Sequence, residues 1–217
     1  GEVPLRVDLV ISTQRLKEVT YYNERDMTIS AGAGMTLKEL GQHVRSANLW
    51  FPVDPPHPDR VTLGGAVAAS ANGPLRFGKG PLRDHVIGLK VVSPEGKIVK
   101  AGGKVVKNVA GYDMCKLYTG SLGTLGIIVE VSLKLASWPE TQAALWAEVD
   151  GGPKTEELTA AVMNSDLEPL YIDLIKGDRL NSLLEGPLAG AGNPKAILAI
   201  GFECGKTKTD WFCKTAE

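Results

Sequence analysis

The chain has 217 residues, 43% of them hydrophobic, with 24 Lys and Arg against 25 Asp and Glu and a formal net charge of -1. That length and apolar content suffice for a buried core, holding one domain and part of another. The charge balance leaves no basic footprint for nucleic acid and no polybasic membrane arm, no apolar run reaches the roughly 18 residues of a membrane-spanning helix, and the first residues do not read as a signal peptide.

The predicted elements follow an α+β order. Asp8 to Ile11, Glu18 to Tyr22 and Met27 to Ala31 carry the β-branched and aromatic residues of strands, with Asn23-Glu24-Arg25-Asp26 as the turn between the last two. Thr36 with Glu39 three residues on makes a capping box, and Leu37, Leu40 and Val44 fall on one helical face. Leu63 to Asn72 reads as a helix of small residues. Asp84 to Val92 and Lys97 to Ala101 form a hairpin around Ser93-Pro94-Glu95-Gly96. Asp113 caps a short helix from Met114 to Thr119 that ends at Gly120, and Gly126 to Ala136 forms a long strand with Val129, Val131, Leu133 and Leu135 alternating. Connections this short favour antiparallel pairing.

Trp138-Pro139-Glu140-Thr141 marks a boundary, giving domains 1–137 and 138–217. Beyond it, strands at Ala143 to Val149, Pro169 to Ile175 and Lys195 to Glu203, with a helix at Lys154 to Asn164, suggest a ferredoxin-like or related α+β unit. Glu185 to Pro194 reads as a flexible connection, because no basic residue or helix start accompanies its glycines.

Two glycine-centred segments carry the functional signal: Thr62-Leu63-Gly64-Gly65 running into Ala66 to Gly73, and Gly111-Tyr112-Asp113 running on to Gly120-Ser121-Leu122-Gly123-Thr124-Leu125-Gly126-Ile127-Ile128. Glycine lets a backbone approach a ligand with no Cβ in the way, and small residues opening a helix are expected to leave N–H groups aimed outward at a diphosphate. Neither segment is a P-loop, and no G-x-G-x-x-G stands in a dinucleotide-binding context, which argues against a nucleoside triphosphate or a nicotinamide. Taken alone, Gly64-Gly65 also reads as a tight turn before a buried helix.

Together with Pro52-Val53-Asp54-Pro55 and Gly78-x-Gly80-x-x-x-Asp84-x-Val86-x-Gly88, these segments resemble, in order and spacing, the PCMH-type FAD-binding domain of the vanillyl-alcohol oxidase and p-cresol methylhydroxylase superfamily. Gly102-Gly103-Lys104-Val105-Val106-Lys107-Asn108-Val109-Ala110-Gly111-Tyr112-Asp113 is similar to the FAD-binding subunit of bacterial glycolate oxidase. The resemblance covers residues 1–137. It implies the second, mainly antiparallel subdomain of that fold with flanking helices, followed by the start of a substrate-side cap. It also implies FAD held by Pro52, Asp54, Thr62, Gly64, Gly65, Ala68, Asn72, Gly73, Val86, Gly126, Ile127 and Ile128, through backbone and small apolar groups that bind without catalysing. Oxidation of a small 2-hydroxy acid such as glycolate is implied, with a second flavin subunit and an iron–sulfur subunit as partners and a cytoplasmic site, peripheral to the inner membrane through those partners. A subunit that binds FAD only for assembly or electron relay is the alternative.

The Pro-Arg-Gly-x-Gly-type loop of that family is not found after Gly1-Glu2-Val3-Pro4, and Lys206 to Glu217 reads as the beginning of a helix, so the chain is expected to be a fragment of a longer protein. His57, in Pro55-Pro56-His57-Pro58, is the one base candidate for hydroxy-acid oxidation; His43 reads as solvated and His85 as a strand start. Catalytic residues are otherwise unassigned. Three scattered histidines give no metal shell, and Cys115, Cys204 and Cys213 suit a reducing compartment and lack the clustered spacing of an iron–sulfur ligand set. Arg60, Arg76, Lys79 and Arg83 surround the first glycine segment as a basic rim, with Arg76 and Arg83 the candidates for facing a diphosphate.

Overall fold

A computed structural model describes residues 7–104, 112–186 and 194–204. The expected loop at residues 187–193, the helix start at 206–217, Cys213, and residues 105–111 of the glycolate-oxidase-like segment lie outside the described residues. The chain divides into two units, one comprising the residues up to Asn72 together with Pro81–Ser137, the other Gly73–Gly80 together with the residues from Trp138 onward.

The first unit is built on a five-stranded antiparallel sheet. Its strands are β1 (Val19–Asn23), β2 (Thr28–Gly32), β4 (Val86–Val92), β5 (Ile98–Gly102) and β6 (Ile127–Lys134), in the order β1-β2-β6-β4-β5. A two-residue pairing of β3 (Leu49–Trp50) with β7 (Ala136–Ser137) closes the unit, and the Trp50 indole N–H donates to the Ser137 carbonyl at 3.0 Å. Helix α1 (Leu37–Arg45) forms for the reason the capping box gives: the Thr36 hydroxyl accepts from the Glu39 N–H at 3.1 Å, and the Glu39 carboxylate accepts from the Thr36 N–H at 2.8 Å. Its apolar stripe, Leu37, Leu40 and Val44, packs with Leu63, Ala66 and Val67 of α2 (Leu63–Ala69) into the core that also takes Ile29, Ala31, Leu89, Val91, Val131 and Leu133 from one face of the sheet. Leu40 and Val44 are 0% exposed, a burial that stabilises by about 1.5–3 kcal/mol per side chain.

The other face of the same sheet is polar yet buried at its centre, with Thr28, Ser30, Glu130 and Ser132 all under 9% exposed. The Ser30 and Ser132 hydroxyls bond each other at 2.7 Å, and Glu130 accepts from Lys90 at 2.8 Å and Thr20 at 2.9 Å, which satisfies three of these four groups; the Thr28 hydroxyl has no hydrogen-bond partner among the described residues. Apolar alternation along β6 therefore marks only one of its two buried faces. Asp8 to Ile11, expected as a strand, is not one. Leu9, Val10 and Ile11 are 76%, 79% and 60% exposed, and no described residue supplies the neighbouring ladder a strand requires.

The second unit carries β8 (Thr141–Val149), β9 (Tyr171–Ile175) and β10 (Ala196–Cys204) in the order β8-β10-β9, with both outer strands antiparallel to β10. That places β8 and β9 parallel to each other with β10 between them, the split βαβ arrangement, and α5 (Pro153–Met163) is the crossover. Leu158 and Val162 of α5 pack on Val149, Leu198, Ile200 and Phe202. Two short helices are additions to the expected order: α6 (Asp178–Leu184), and α3 (Arg76–Lys79), which joins this unit through a Gly78 N–H bond to the Leu170 carbonyl at 2.9 Å. The remaining helix, α4 (Met114–Tyr118), belongs to the first unit and is capped by Asp113, whose carboxylate accepts from the Lys116 N–H at 3.3 Å.

Candidate cofactor site

The two glycine-rich segments, separated by 37 residues of sequence, meet on the surface of α2. The Gly120 N–H donates to the Val67 carbonyl at 2.9 Å, which also accepts from the Ser70 N–H, and the Leu122 N–H to the Ala68 carbonyl at 2.8 Å, so residues 120–122 bond two carbonyls near the end of α2. To reach them the chain uses left-handed backbone at Ser70 (φ 49), Gly120 (φ 83), Leu122 (φ 54) and Gly123 (φ 76). Leu122 and Leu125 are left 72% and 41% exposed beside this junction.

The start of α2 is arranged differently from the expectation of outward N–H groups. Leu63 N–H donates to the Met35 carbonyl and Gly64 N–H to the Ala33 carbonyl, both at 2.8 Å; Gly65 N–H donates to the Thr62 hydroxyl at 3.2 Å and Ala66 N–H to the Thr62 carbonyl at 2.8 Å. The first-turn donors are thus engaged within the chain, the Leu63 N–H through the isolated antiparallel Thr36–Thr62 bridge. An anion here would not find free helix amides.

The two adjacent glycines serve different purposes. A Cβ on Gly64 would stand 2.8 Å from the Ala33 Cβ, so glycine is needed there by packing alone. On exposed Gly65 a Cβ would meet only the Thr62 hydroxyl, at 3.1 Å, and the same test at Gly123 finds nothing within 4 Å. Among the described residues only the Thr62 hydroxyl stands against a side chain at Gly65, and a bare backbone is the feature a closely approaching cofactor requires. Gly126 resembles Gly64: at φ 150, its Cβ would lie 2.7 Å from both Val91 Cγ1 and the Val92 carbonyl.

The other expected residues are distributed along this unit. Pro52 is buried, and Asp54 half-buried, in the segment following β3. The Asn72 side chain donates to the Ser70 carbonyl at 2.6 Å and accepts from the Leu82 N–H at 2.8 Å, so both of its arms pin the exit of α2 to the approach to β4. Val86 pairs with Leu133 while Ile127 pairs with Val92, which sets them at opposite ends of the β4–β6 ladder. Six residues of strand separate those ends, about 20 Å. Gly73 opens the segment that belongs to the second unit.

The titratable candidates are not gathered. His57 occupies an exposed turn with left-handed backbone (φ 58), His43 is exposed with its ring edge-on to Tyr22 at 5.4 Å, and His85 meets Phe51 edge-on at 5.9 Å. Arg83 lies 3.6 Å from the neighbouring Asp84 carboxylate, and Lys79 pairs with Glu203 within the second unit, where burial lowers the lysine pKa. Burial, with Asp113 nearby, pushes the Cys115 thiol up to about 11. Among the described residues no group of three His, Cys, Asp or Glu side chains is placed to hold a metal, and no helix is long and apolar enough to cross a membrane. What sequence reasoning missed is the seam between residues 67–68 and 120–122, since left-handed Ser70 and Leu122 carry no glycine to announce it.

Residues 2–102 match a family of FAD binding domains. The chain belongs to the PCMH-type FAD-binding family, and FAD is its cofactor. It is 34% identical over 203 residues to the glycolate oxidase subunit GlcD of Bacillus subtilis (strain 168), covering 92% of this chain and 43% of that protein. It is also 34% identical over 155 residues to the glycolate oxidase subunit GlcE of Escherichia coli (strain K12), covering 71% and 43%. A D-2-hydroxyglutarate dehydrogenase of Xanthomonas citri pv. viticola is 37% identical over 139 residues, covering 64% and 29%. Among solved structures, an alkyldihydroxyacetonephosphate synthase superposes with a TM-score of 0.75 at 21% identity over 93% of this chain and 40% of that one, a likeness of fold. The chain thus spans less than half the length of these relatives.

Proposed function

We propose that this chain is the second half of the FAD-binding domain, and the beginning of the cap, of an oxidoreductase subunit that oxidises a small 2-hydroxy acid, glycolate first among the candidates. The observation that carries the reading is the seam of Gly120 and Leu122 amides on the Val67 and Ala68 carbonyls, which makes one surface of the two glycine segments, with a bare backbone at Gly65. In this reading FAD lies extended along that surface, Gly65 and Ala68 allowing its close approach, and Val86 and Ile127 meeting it at points far apart. Gly64, Asn72 and Gly126 hold the shape of the surface. Thr62 fixes the helix start, and Pro52 and Asp54 line the approach. Bound FAD supplies the hydride acceptor; the protein supplies orientation and excludes water. Glycolate oxidase subunits and a D-2-hydroxyglutarate dehydrogenase among the relatives support the 2-hydroxy acid class.

A second reading is supported by the equal identity, 34%, to two differently named glycolate oxidase subunits: a subunit that binds FAD and serves assembly or electron relay, with an iron–sulfur partner carrying electrons onward. The visible spectrum of the full-length protein, recorded anaerobically with glycolate, D-lactate or D-2-hydroxyglutarate, separates the two. Flavin bleaching by the isolated subunit supports substrate oxidation on this chain's own cofactor, and the fastest substrate names the acid. Bleaching only with partners added supports relay, and a purified protein without flavin refutes both.

A further inference from the structure

The polar face of the five-stranded sheet contains a trough that plays no part in the α2 surface. Register explains its shape. Ser132, Gly88 and Gly102 are opposite one another across β6, β4 and β5, so the middle of the row has no side chain beyond one hydroxyl. The next row reads Glu130, Lys90, Lys100, which sets two lysines directly opposite each other on neighbouring strands. Like charges in that position destabilise a sheet unless something negative stands between them. Lys104 closes the third side, its ammonium 4.8 Å from the centre of the Tyr21 ring. The trough is open on one side and has a volume of about 180 Å³.

The charge count is specific. Three ammonium groups and one carboxylate line the trough, and that carboxylate, Glu130, is already bonded to Lys90 and Thr20. Among the described residues no carboxylate pairs with Lys100 or Lys104, the latter resting against the Tyr21 ring, so two positive charges face whatever enters. Rows of opposite apolar alternation place the trough on the reverse of the sheet from the core that α2 packs against.

We infer that this trough is a binding site for a phosphate-class dianion, held by Lys100 and Lys104 over the glycine floor, with Ser132 at its side and the Lys90–Glu130 pair as its fixed wall. A tetrahedral anion of charge near -2 matches both the size and the uncompensated charge, and a carboxylate of charge -1 matches only the first.

The test is calorimetric titration of the 217-residue chain with inorganic phosphate and, separately, with methyl phosphate, at ionic strength held constant with chloride. Saturable binding is expected, weakened at least about tenfold in the Lys100→Gln, Lys104→Gln double variant and unchanged in Lys134→Gln, an exposed lysine of β6 outside the trough. Binding of inorganic phosphate alone assigns a free ion as the ligand; binding of both assigns the phosphoryl group of a larger molecule. Absence of saturation, or equal weakening by Lys134→Gln, overturns the site. A second measurement needs no variant: phosphate should protect Lys100 and Lys104, and not Lys134, from an amine-acetylating reagent, and equal modification of all three refutes the assignment.

Discussion

Replacing each glycine of the Gly64-Gly65 pair with alanine should produce opposite effects on stability and on flavin retention. At Gly64 the new Cβ arrives 2.8 Å from the Ala33 Cβ and 3.1 Å from the Ala33 carbonyl, the acceptor of the Gly64 N–H. An ordinary contact needs another 0.6 Å or more, so α2 must shift away from Ala33, the residue after β2, and stretch that hydrogen bond. Overpacking of this kind costs about 1–3 kcal/mol, and the higher helix propensity of alanine offsets about 1 kcal/mol of it at most. A net loss of about 1–2 kcal/mol is expected from urea unfolding of Gly64→Ala. At Gly65 the Cβ presses only on the Thr62 hydroxyl, at 3.1 Å, and the propensity gain stands nearly whole, so stability should hold or rise by a few tenths to about 0.8 kcal/mol. Flavin content per chain in the full-length protein should nevertheless fall in Gly65→Ala and be lost in Gly65→Val, whose branches reach further into the approach. Full flavin content in Gly65→Val would refute the reading of this backbone as a contact surface, and an unchanged unfolding midpoint in Gly64→Ala would refute the packing argument.

Asn72→Asp should destabilise the first unit by about 1–2 kcal/mol, because a carboxylate cannot donate to the Ser70 carbonyl while still accepting from Leu82; urea midpoints of the two proteins test this. The Glu39 carboxyl is held down at about 2, chiefly by its hydrogen bond from Lys17 and then by the Thr36 N–H. A depressed carboxyl stabilises the fold above its unfolded value of 4.5, and that contribution disappears as pH falls from 4.5 toward 2. The gap in melting temperature between the native chain and Glu39→Gln should therefore shrink across that window, and a constant gap would refute it. Cys115, with its thiol pushed up to about 11 by burial, should resist iodoacetamide at pH 8 in the folded protein and react on unfolding, as followed by mass spectrometry of its peptide.

Local chemistry was legible wherever it decides local structure. The Thr36 and Glu39 capping box, the Asn23–Asp26 and Ser93–Gly96 turns and the Asp113 cap all depend on contacts within a few residues, and each stands where the side chains indicated. Long-range decisions were not legible. Helix α3 contains a glycine and spans four residues, a poor helix by propensity, and exists with Gly78 bonded to Leu170. Asp8 to Ile11 has the composition of a strand, but a strand is a property of a pair, and no described strand runs beside it. Glu130 sits between two apolar residues of β6 as if facing solvent, and only the register with Lys90 and the hydroxyl of Thr20 reveals that it is buried and satisfied.

The glycine doublet shows where such reading reaches its limit. Gly64 and Gly65 are the same letter at adjacent positions of a recognisable motif, so sequence assigns them one role. In the fold, a helix advances about 100° per residue, which turns Gly64 toward Ala33 and the core and Gly65 toward the open surface. The first must be glycine for α2 to lie close on Ala33, the residue after β2; for the second, the only described group in the way of a side chain is the Thr62 hydroxyl. The diphosphate-cradle expectation treated both as ligand contacts through free amides, whereas all the first-turn amides are engaged and only the missing side chain at Gly65 remains to be explained. A cofactor held along this surface is therefore held by what the backbone leaves out, and its affinity should respond to side-chain volume at position 65 more steeply than to salt.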